Sequence, residues 1–302
     1  MKFGGVYAIK EIMKTRAPGA VVKPLRRAWS KVLKNAPIKM RQNYRRTKWN
    51  NHFHHQKFPV TVVAIETIGE CNRECAYCPV SLVDKRRGRM ATEVFESIVL
   101  QLKELNYQDE IFFHFYNEPL LDKRMIDHLK FTRQHLPENF LKLVTNGDPL
   151  TLKKANAILD AGVNVLGISM HDPETEEKAI GIIAGLQEEK RARVETYRFY
   201  DWQNHEYTNR AGTIVSDDFK VRRAASREGC DKTEFVIDYM GDVHPCSEDI
   251  GKGYVLGNVS ESPLLDIWKN GRDRYRDHFT GNFCAVCRQC VGIDEAPILS
   301  KS

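Results

Sequence analysis

Long apolar runs are missing from this 302-residue sequence, although 42% of its residues are hydrophobic. No stretch approaches the roughly 20 apolar residues of a bilayer-crossing helix, which excludes a helical membrane protein. The N-terminus has neither an apolar segment nor a small-residue cleavage site, so no secretory signal is predicted. Internal repeats of about 20–50 residues are absent too, which excludes solenoids. We expect a cytoplasmic protein, with a peripheral membrane location left open.

Acidic residues are scarce at the start of the chain. Residues 1–56 hold fourteen Lys and Arg but only one acid, Glu11, which gives this segment a net charge of +13. Since the whole chain carries +6, residues 57–302 carry −7. Short amphipathic helices are predicted near 7–14 and 24–34. This basic N-terminal extension is expected to bind an anionic membrane, an acidic partner or RNA. A solvated or loosely docked tail is an alternative of equal weight.

The eight cysteines lack the even spacing of a disulfide framework. Three lie within 71–78 and three within 284–290, with Cys230 and Cys246 between them. Such clustering favours metal ligation in a reducing compartment.

The first cluster is a C-x-x-x-C-x-x-C array, Cys71, Cys75 and Cys78, placed after the apolar run 60–65. Three thiolates on one loop can hold three irons of a cubane cluster and leave the fourth iron open to an outside ligand. Tyr77 would lie with its flat face beside the open iron. The alternative is a zinc site that takes a distant His as its fourth ligand.

Strand-like and helix-like stretches alternate from residue 57, which predicts parallel βαβ units. The predicted strands are 60–67, 111–115, 141–144, 163–168 and 192–199. The predicted helices are 92–106, 123–134, 152–161 and 174–188. Polar residues follow the strand ends, where barrels place their chemistry: Asn117, Glu118, Asn146, Ser169 and His171. Only five strands are convincing, so the barrel is expected to be incomplete.

The cysteine loop and the order of these motifs resemble the radical S-adenosylmethionine (SAM) enzymes over roughly residues 59–200. The resemblance implies a partial (β/α) TIM-like barrel of about five to six βα units, over 57–215. It also implies a 4Fe–4S cluster on the three loop cysteines, to which SAM binds before cleavage to a 5′-deoxyadenosyl radical.

The same resemblance assigns SAM contacts. Residues 116–119, Tyr-Asn-Glu-Pro, stand where the family has a GGE-type motif, so Asn117 departs from glycine while Glu118 keeps its position. A carboxylate there is expected to bind the SAM ammonium. Further positions that match SAM contacts of the family are Thr145, Asn146 and Ser169.

The C-terminal cysteines belong to a second motif. Cys230 precedes a predicted hairpin, 234–239 and 243–246, and Cys284-x-x-Cys287-x-x-Cys290 follows. This arrangement resembles the SPASM/Twitch extension, over 216–302, which implies one auxiliary 4Fe–4S cluster. The firmest ligands are Cys230, Cys246 and Cys287; the fourth is Cys284 or Cys290. A four-cysteine zinc ribbon is the alternative.

The overall layout resembles the small Twitch dehydrogenases of aminocyclitol biosynthesis, such as the one acting on 2-deoxy-scyllo-inosamine. That resemblance implies oxidation of a sugar- or cyclitol-like alcohol to a ketone, with an external one-electron reductant such as flavodoxin or ferredoxin. Arg210 is the expected substrate contact. The candidate bases are His171, Glu66 and His205.

Three other functions are compatible with the sequence. A radical SAM epimerase would use the spare C-terminal cysteine as hydrogen donor. A radical SAM enzyme could instead modify a peptide. From another class, a zinc-containing protein could bind nucleic acid or a membrane through its basic extension.

Overall fold

The computed structural model describes residues 56–82, 87–200, 206–227, 229–250 and 253–293, together with Met40 and Thr47. The two predicted N-terminal helices and His205 lie outside these described residues. No helix within the described ranges is both long and apolar enough to cross a bilayer.

Eight strands form one sheet, in the order β10-β9-β8-β1-β2-β3-β4-β5. Its six mutually parallel strands are β1 Val62–Ile65, β2 Glu110–Phe112, β3 Phe140–Thr145, β4 Val165–Met170, β5 Val194–Arg198 and β8 Glu234–Ile237. The antiparallel strands are β9 Asp242–His244 and β10 Gly257–Asn258. A separate parallel pair consists of β6 Glu206–Thr208 and β7 Lys220–Arg222.

Helices connect the parallel strands and cover the sheet. They are α1 Thr92–Glu104, α2 Met125–His135, α3 Leu152–Asp160, α4 Pro173–Ala184, α5 Glu188–Arg191, α6 Leu264–Thr280 and α7 Ala285–Cys290. Helix α1 buries Phe95, Ile98, Val99 and Leu102 in the core, which follows from their helical spacing. The predicted cap Thr92 is the first helical residue, and Ala91 occupies the cap position.

A sixth parallel strand, β8, completes more of the barrel than the sequence predicted. It pairs with β1 from Val62 opposite Glu234 to Ile65 opposite Ile237. The sequence predicts this segment only as part of the C-terminal hairpin, and the hairpin is present, because β8 also pairs with β9. The expected five strands are therefore corrected to six, and the partial barrel is confirmed.

The C-terminal segment shares the hydrophobic core of the barrel. Trp268 and Tyr275 of α6 pack with Phe235 of β8, and Phe58 packs edge-on against Phe235. The described residues from 56 onward belong to one compact unit. The predicted domains, 57–215 and 216–302, stay a prediction. The boundary between them separates strands that belong to one sheet.

Candidate active site and auxiliary cysteine site

A cavity of about 410 Å³ opens at the carboxyl ends of the parallel strands and extends into the barrel. It is lined by all three cysteines of the loop after β1, Cys71, Cys75 and Cys78. The predicted cofactor contacts also line it: Tyr77 on the same loop, and Asn117, Glu118, Thr145, Asn146 and Ser169 at or just after the ends of β2, β3 and β4. The structure therefore brings the predicted cofactor residues together.

Arg73 attaches the cysteine loop to the ends of β3 and β4. Its guanidinium donates to both carboxylate oxygens of Asp148, at 2.7 and 2.5 Å, and to Asp172 at 2.7 Å. These hydrogen bonds, chiefly that to Asp148, raise the pKa of Arg73. Bidentate arginine–carboxylate pairs are geometrically specific, so Arg73 fixes the loop that carries the cysteines. Sequence reasoning missed it, although both acids follow predicted strand ends.

Glu118 is buried, and three donors of the protein bind its carboxylate. Oε1 accepts from the Leu120 amide at 3.0 Å and from the Thr145 hydroxyl at 2.7 Å, and Oε2 accepts from the Asn146 amide at 2.7 Å. Burial nevertheless raises the Glu118 pKa. Since a carboxylate offers about four acceptor sites, one remains for a cation in the cavity.

Asn117 and Asn146 carry amide groups suited to a polar ligand. The Nδ2 atom of Asn117 is buried without a hydrogen-bond partner among the described residues, which is costly unless a ligand accepts from it. Nδ2 of Asn146 donates to Asn72 at 2.8 Å and lies 3.9 Å from the Cys71 sulfur. These donors, the Glu118 carboxylate and the three thiols fit SAM bound to a loop cluster.

Tyr77 belongs to an aromatic stack beside the loop. Its ring lies parallel to those of Tyr207 at 4.5 Å and Phe199 at 5.6 Å, and its hydroxyl contacts Nδ1 of His171. The same Nδ1 is 3.7 Å from the Cys75 sulfur. Burial, with a smaller effect of Arg73, lowers the pKa of His171 to about 4. Burial therefore favours the neutral form of the His171 ring.

Arg210 reaches the cavity from a turn with an unusual backbone. Arg210 and Ala211 have left-handed φ values of 43° and 52°, which is rare for residues with a Cβ and typical of functional sites. The guanidinium lies 5.7 Å from the ring centre of Tyr116 and 3.8 Å from Glu248. Burial would raise the pKa of Glu248, but Lys232 and Arg210 outweigh it and lower that pKa.

Two of the three predicted bases, His171 and Glu66, lie in the described residues, and their surroundings differ. His171 lines the cavity. Glu66 is fully buried, its carboxylate accepts from the Tyr116 amide at 2.8 Å, and it is not among the residues lining the cavity.

The five C-terminal cysteines surround a second, smaller cavity of about 30 Å³, and Cys230, Cys246, Cys284, Cys287 and Cys290 all line it. The Cys284 and Cys287 sulfurs are 3.5 Å apart. Among the described residues, no group of three His, Cys, Asp or Glu side chains is arranged to bind a single metal ion, and this includes the five cysteines. The five thiols fit one 4Fe–4S cluster with one cysteine to spare.

Two contacts join the cavities. The Tyr116 hydroxyl donates to the carbonyl of Ser247 at 2.9 Å, and Ser247 lines the first cavity while its chain neighbour Cys246 lines the second. Glu248 lines the second cavity and pairs with Arg210 of the first. Tyr116, Ser247 and Glu248 could not be predicted as a group from the sequence, because no local pattern indicates that they meet.

Comparison with known proteins agrees with this geometry. The Radical SAM superfamily matches residues 65–214, and an iron–sulfur cluster-binding domain, SPASM, matches residues 230–291. The chain thus belongs to the radical SAM superfamily and carries a C-terminal SPASM domain, so its cofactors are SAM and 4Fe–4S clusters.

Among its relatives is the S-adenosyl-L-methionine-dependent 2-deoxy-scyllo-inosamine dehydrogenase of Niallia circulans, 30% identical over 217 residues, which cover 70% of this chain and 83% of that protein. The crystal structure of BtrN in complex with AdoMet and 2-DOIA has a TM-score of 0.66 at 26% identity, covering 76% and 92% of the chains. The AdoMet-bound anSMEcpe structure, at 16% identity and TM-score 0.56 over 78% and 89% of the chains, shares the fold.

Proposed function

We propose that this enzyme oxidises a secondary alcohol of a sugar- or cyclitol-like molecule to a ketone. The observation that carries the proposal is the pair of cysteine sites, which line two separate cavities joined by the contacts of Tyr116 and Arg210. The relative from Niallia circulans is named for a reaction of this kind. Removal of two electrons from an alcohol requires an acceptor for the second, and the auxiliary site lies beside the cavity.

The cofactors supply the redox chemistry, and the protein binds and orients the cofactors and the substrate. When bound and reduced by an external donor such as flavodoxin or ferredoxin, SAM and the loop cluster would supply a 5′-deoxyadenosyl radical to remove one hydrogen atom from the carbinol carbon, and the auxiliary cluster would supply an acceptor for the remaining electron. The hydroxyl proton leaves to a base of the chain. Arg210 orients the hydroxyl, and His171 is the predicted base that lines the cavity.

The cysteines count against an epimerase. Such an enzyme needs a thiol beside the substrate carbon to return a hydrogen atom. Among the described residues, the cysteines that line the larger cavity are the three loop ligands, and the spare one, Cys284 or Cys290, lines the smaller cavity instead. A dehydrogenase needs no such thiol.

The reaction is tested with anaerobically reconstituted protein, SAM, a one-electron reductant and 2-deoxy-scyllo-inosamine. We expect a ketone product and one SAM consumed per ketone formed. An inverted alcohol recovered in place of ketone would establish the epimerase. Formation of 5′-deoxyadenosine with the cyclitol unchanged would reject this substrate class.

We further propose that Glu118 binds the SAM ammonium. Glu118→Gln retains the side-chain shape but removes the charge, and a hydrogen bond to a charged group contributes about 1.5–3 kcal/mol. The dissociation constant of SAM should therefore rise roughly tenfold or more. Calorimetry of SAM binding measures it, with Glu110→Gln at an exposed position of β2 as the matched control. Equal affinities for both variants would refute this role.

For residues 1–56 we propose docking on an anionic surface, either a membrane or an acidic partner, because their net charge of +13 contrasts with −7 in the remainder. A chain that starts at residue 57 should keep SAM cleavage but lose salt-sensitive binding to anionic vesicles. Co-sedimentation in low and high salt, with neutral vesicles as control, measures this binding. Undiminished binding by the shortened chain would disprove the assignment.

A further inference from the structure

His114 is a cavity-lining residue to which nothing above gives a role. It lies two residues beyond Phe112, the last residue of β2, and its ring stacks on that of Phe112 at 5.4 Å. Its Nδ1 atom accepts a hydrogen bond from the Val144 amide at 3.2 Å. The imidazole thus accepts the hydrogen bond of the Val144 amide in place of a backbone carbonyl, at the point where β2 has ended and β3 continues.

This hydrogen bond determines which ring nitrogen carries the proton. Because Nδ1 accepts, a neutral ring must be protonated at Nε2. Burial, assisted by the charge of Lys142, lowers the pKa of His114 to about 3, so the ring remains neutral at pH 7. Within the described part of the chain, no group hydrogen bonds to Nε2. The cavity therefore faces a fixed, uncharged N–H donor.

The wall around this donor is largely apolar. The residues of β1, β3 and β8 that line the cavity are mostly apolar, namely Val62, Ala64, Val144 and Val236, together with Thr145 and Glu234. A lone donor in an apolar wall selects strongly for a ligand with an acceptor at that point, since an analogue without it leaves the donor unpaired.

We propose that His114 binds the substrate, with its Nε2–H donating a hydrogen bond to a hydroxyl oxygen of the cyclitol-like alcohol. The inference rests on the proposed function, because it takes its ligand from that substrate class. His114 is a specificity-determining residue here. Its donor suits the ketone product as well, because a carbonyl oxygen accepts but does not donate.

Two variants separate this role from a purely structural one. Asn at position 114 places an amide oxygen close to the position of Nδ1, so it keeps an acceptor for the Val144 amide and loses the donor. Gln places an amide N–H close to the position of Nε2, so it keeps the donor and loses the acceptor. The two roles therefore predict opposite orders of the variants.

The experiment measures binding of 2-deoxy-scyllo-inosamine to the SAM-loaded holoenzyme by calorimetry, together with melting temperature. His114→Asn should raise the cyclitol dissociation constant about tenfold with an unchanged melting temperature and SAM affinity. His114→Gln should bind the cyclitol within about threefold of wild type and melt a few degrees lower, by roughly 2–4 °C.

Each outcome decides a claim. Wild-type affinity in His114→Asn, with weakened binding only in the less stable His114→Gln, overturns the substrate role. If the wild-type enzyme binds the cyclitol but leaves it unoxidised, the proposed function fails, while the order of the variants still decides the role of His114. Absence of binding to the wild-type enzyme overturns both.

Discussion

Replacing Cys71, Cys75 and Cys78 together with Ala should abolish reductive cleavage of SAM. The three thiols line one cavity with Glu118 and Asn117, and no neighbouring His or carboxylate forms a substitute metal site with them in the described residues. A cubane cluster cannot be retained without its thiolates. Iron content should fall from about eight atoms per chain to about four.

The control for this variant is the auxiliary cluster. It should keep its iron and its absorption spectrum, because its five candidate ligands line a separate cavity. The measurement is 5′-deoxyadenosine formed after reduction with dithionite. Formation at the wild-type rate by the triple variant would be incompatible with a SAM-binding cluster on this loop.

The second large effect concerns the auxiliary ligands. Of the single variants Cys284→Ala and Cys290→Ala, one should lose the auxiliary iron and the ketone product while still cleaving SAM. The other should keep both, because five thiols surround a site that needs four. Cys246→Ala serves as the positive control for cluster loss, since Cys246 is a predicted ligand in either case.

The same pair of variants tests the dehydrogenase against the epimerase. In a dehydrogenase the iron-retaining variant turns over normally, with one SAM consumed per ketone. A stalled substrate radical in that variant, detected by electron paramagnetic resonance, would assign hydrogen donation to the spare thiol and contradict our proposal.

The cysteine loop and the polar residues at the strand ends could be predicted from the sequence, because both depend on short-range patterns. The spacing of Cys71, Cys75 and Cys78 keeps them on one loop, and polar residues after consecutive parallel strands meet at one edge of the sheet. Glu118 and Asn146 were predicted on that basis, and they are in direct contact.

Contacts between distant segments were not predictable in the same way. The pairing of β8 with β1 joins residues far apart in the chain, and hydrophobic alternation identifies a strand without naming its neighbour. The partners of Arg73 come from two separate loops. His114 looked like an ordinary strand residue, because its bond to the Val144 amide exists only where β2 ends early.

The central claim is that the chain couples SAM cleavage to oxidation of an alcohol within one cavity. The most direct test uses 2-deoxy-scyllo-inosamine deuterated at the reacting carbinol carbon, with mass spectrometry of both products. We predict one deuterium in 5′-deoxyadenosine and none at the oxidised carbon of an equimolar ketone. Unlabelled 5′-deoxyadenosine would contradict it, and so would an inverted alcohol that carries hydrogen in place of deuterium at that carbon.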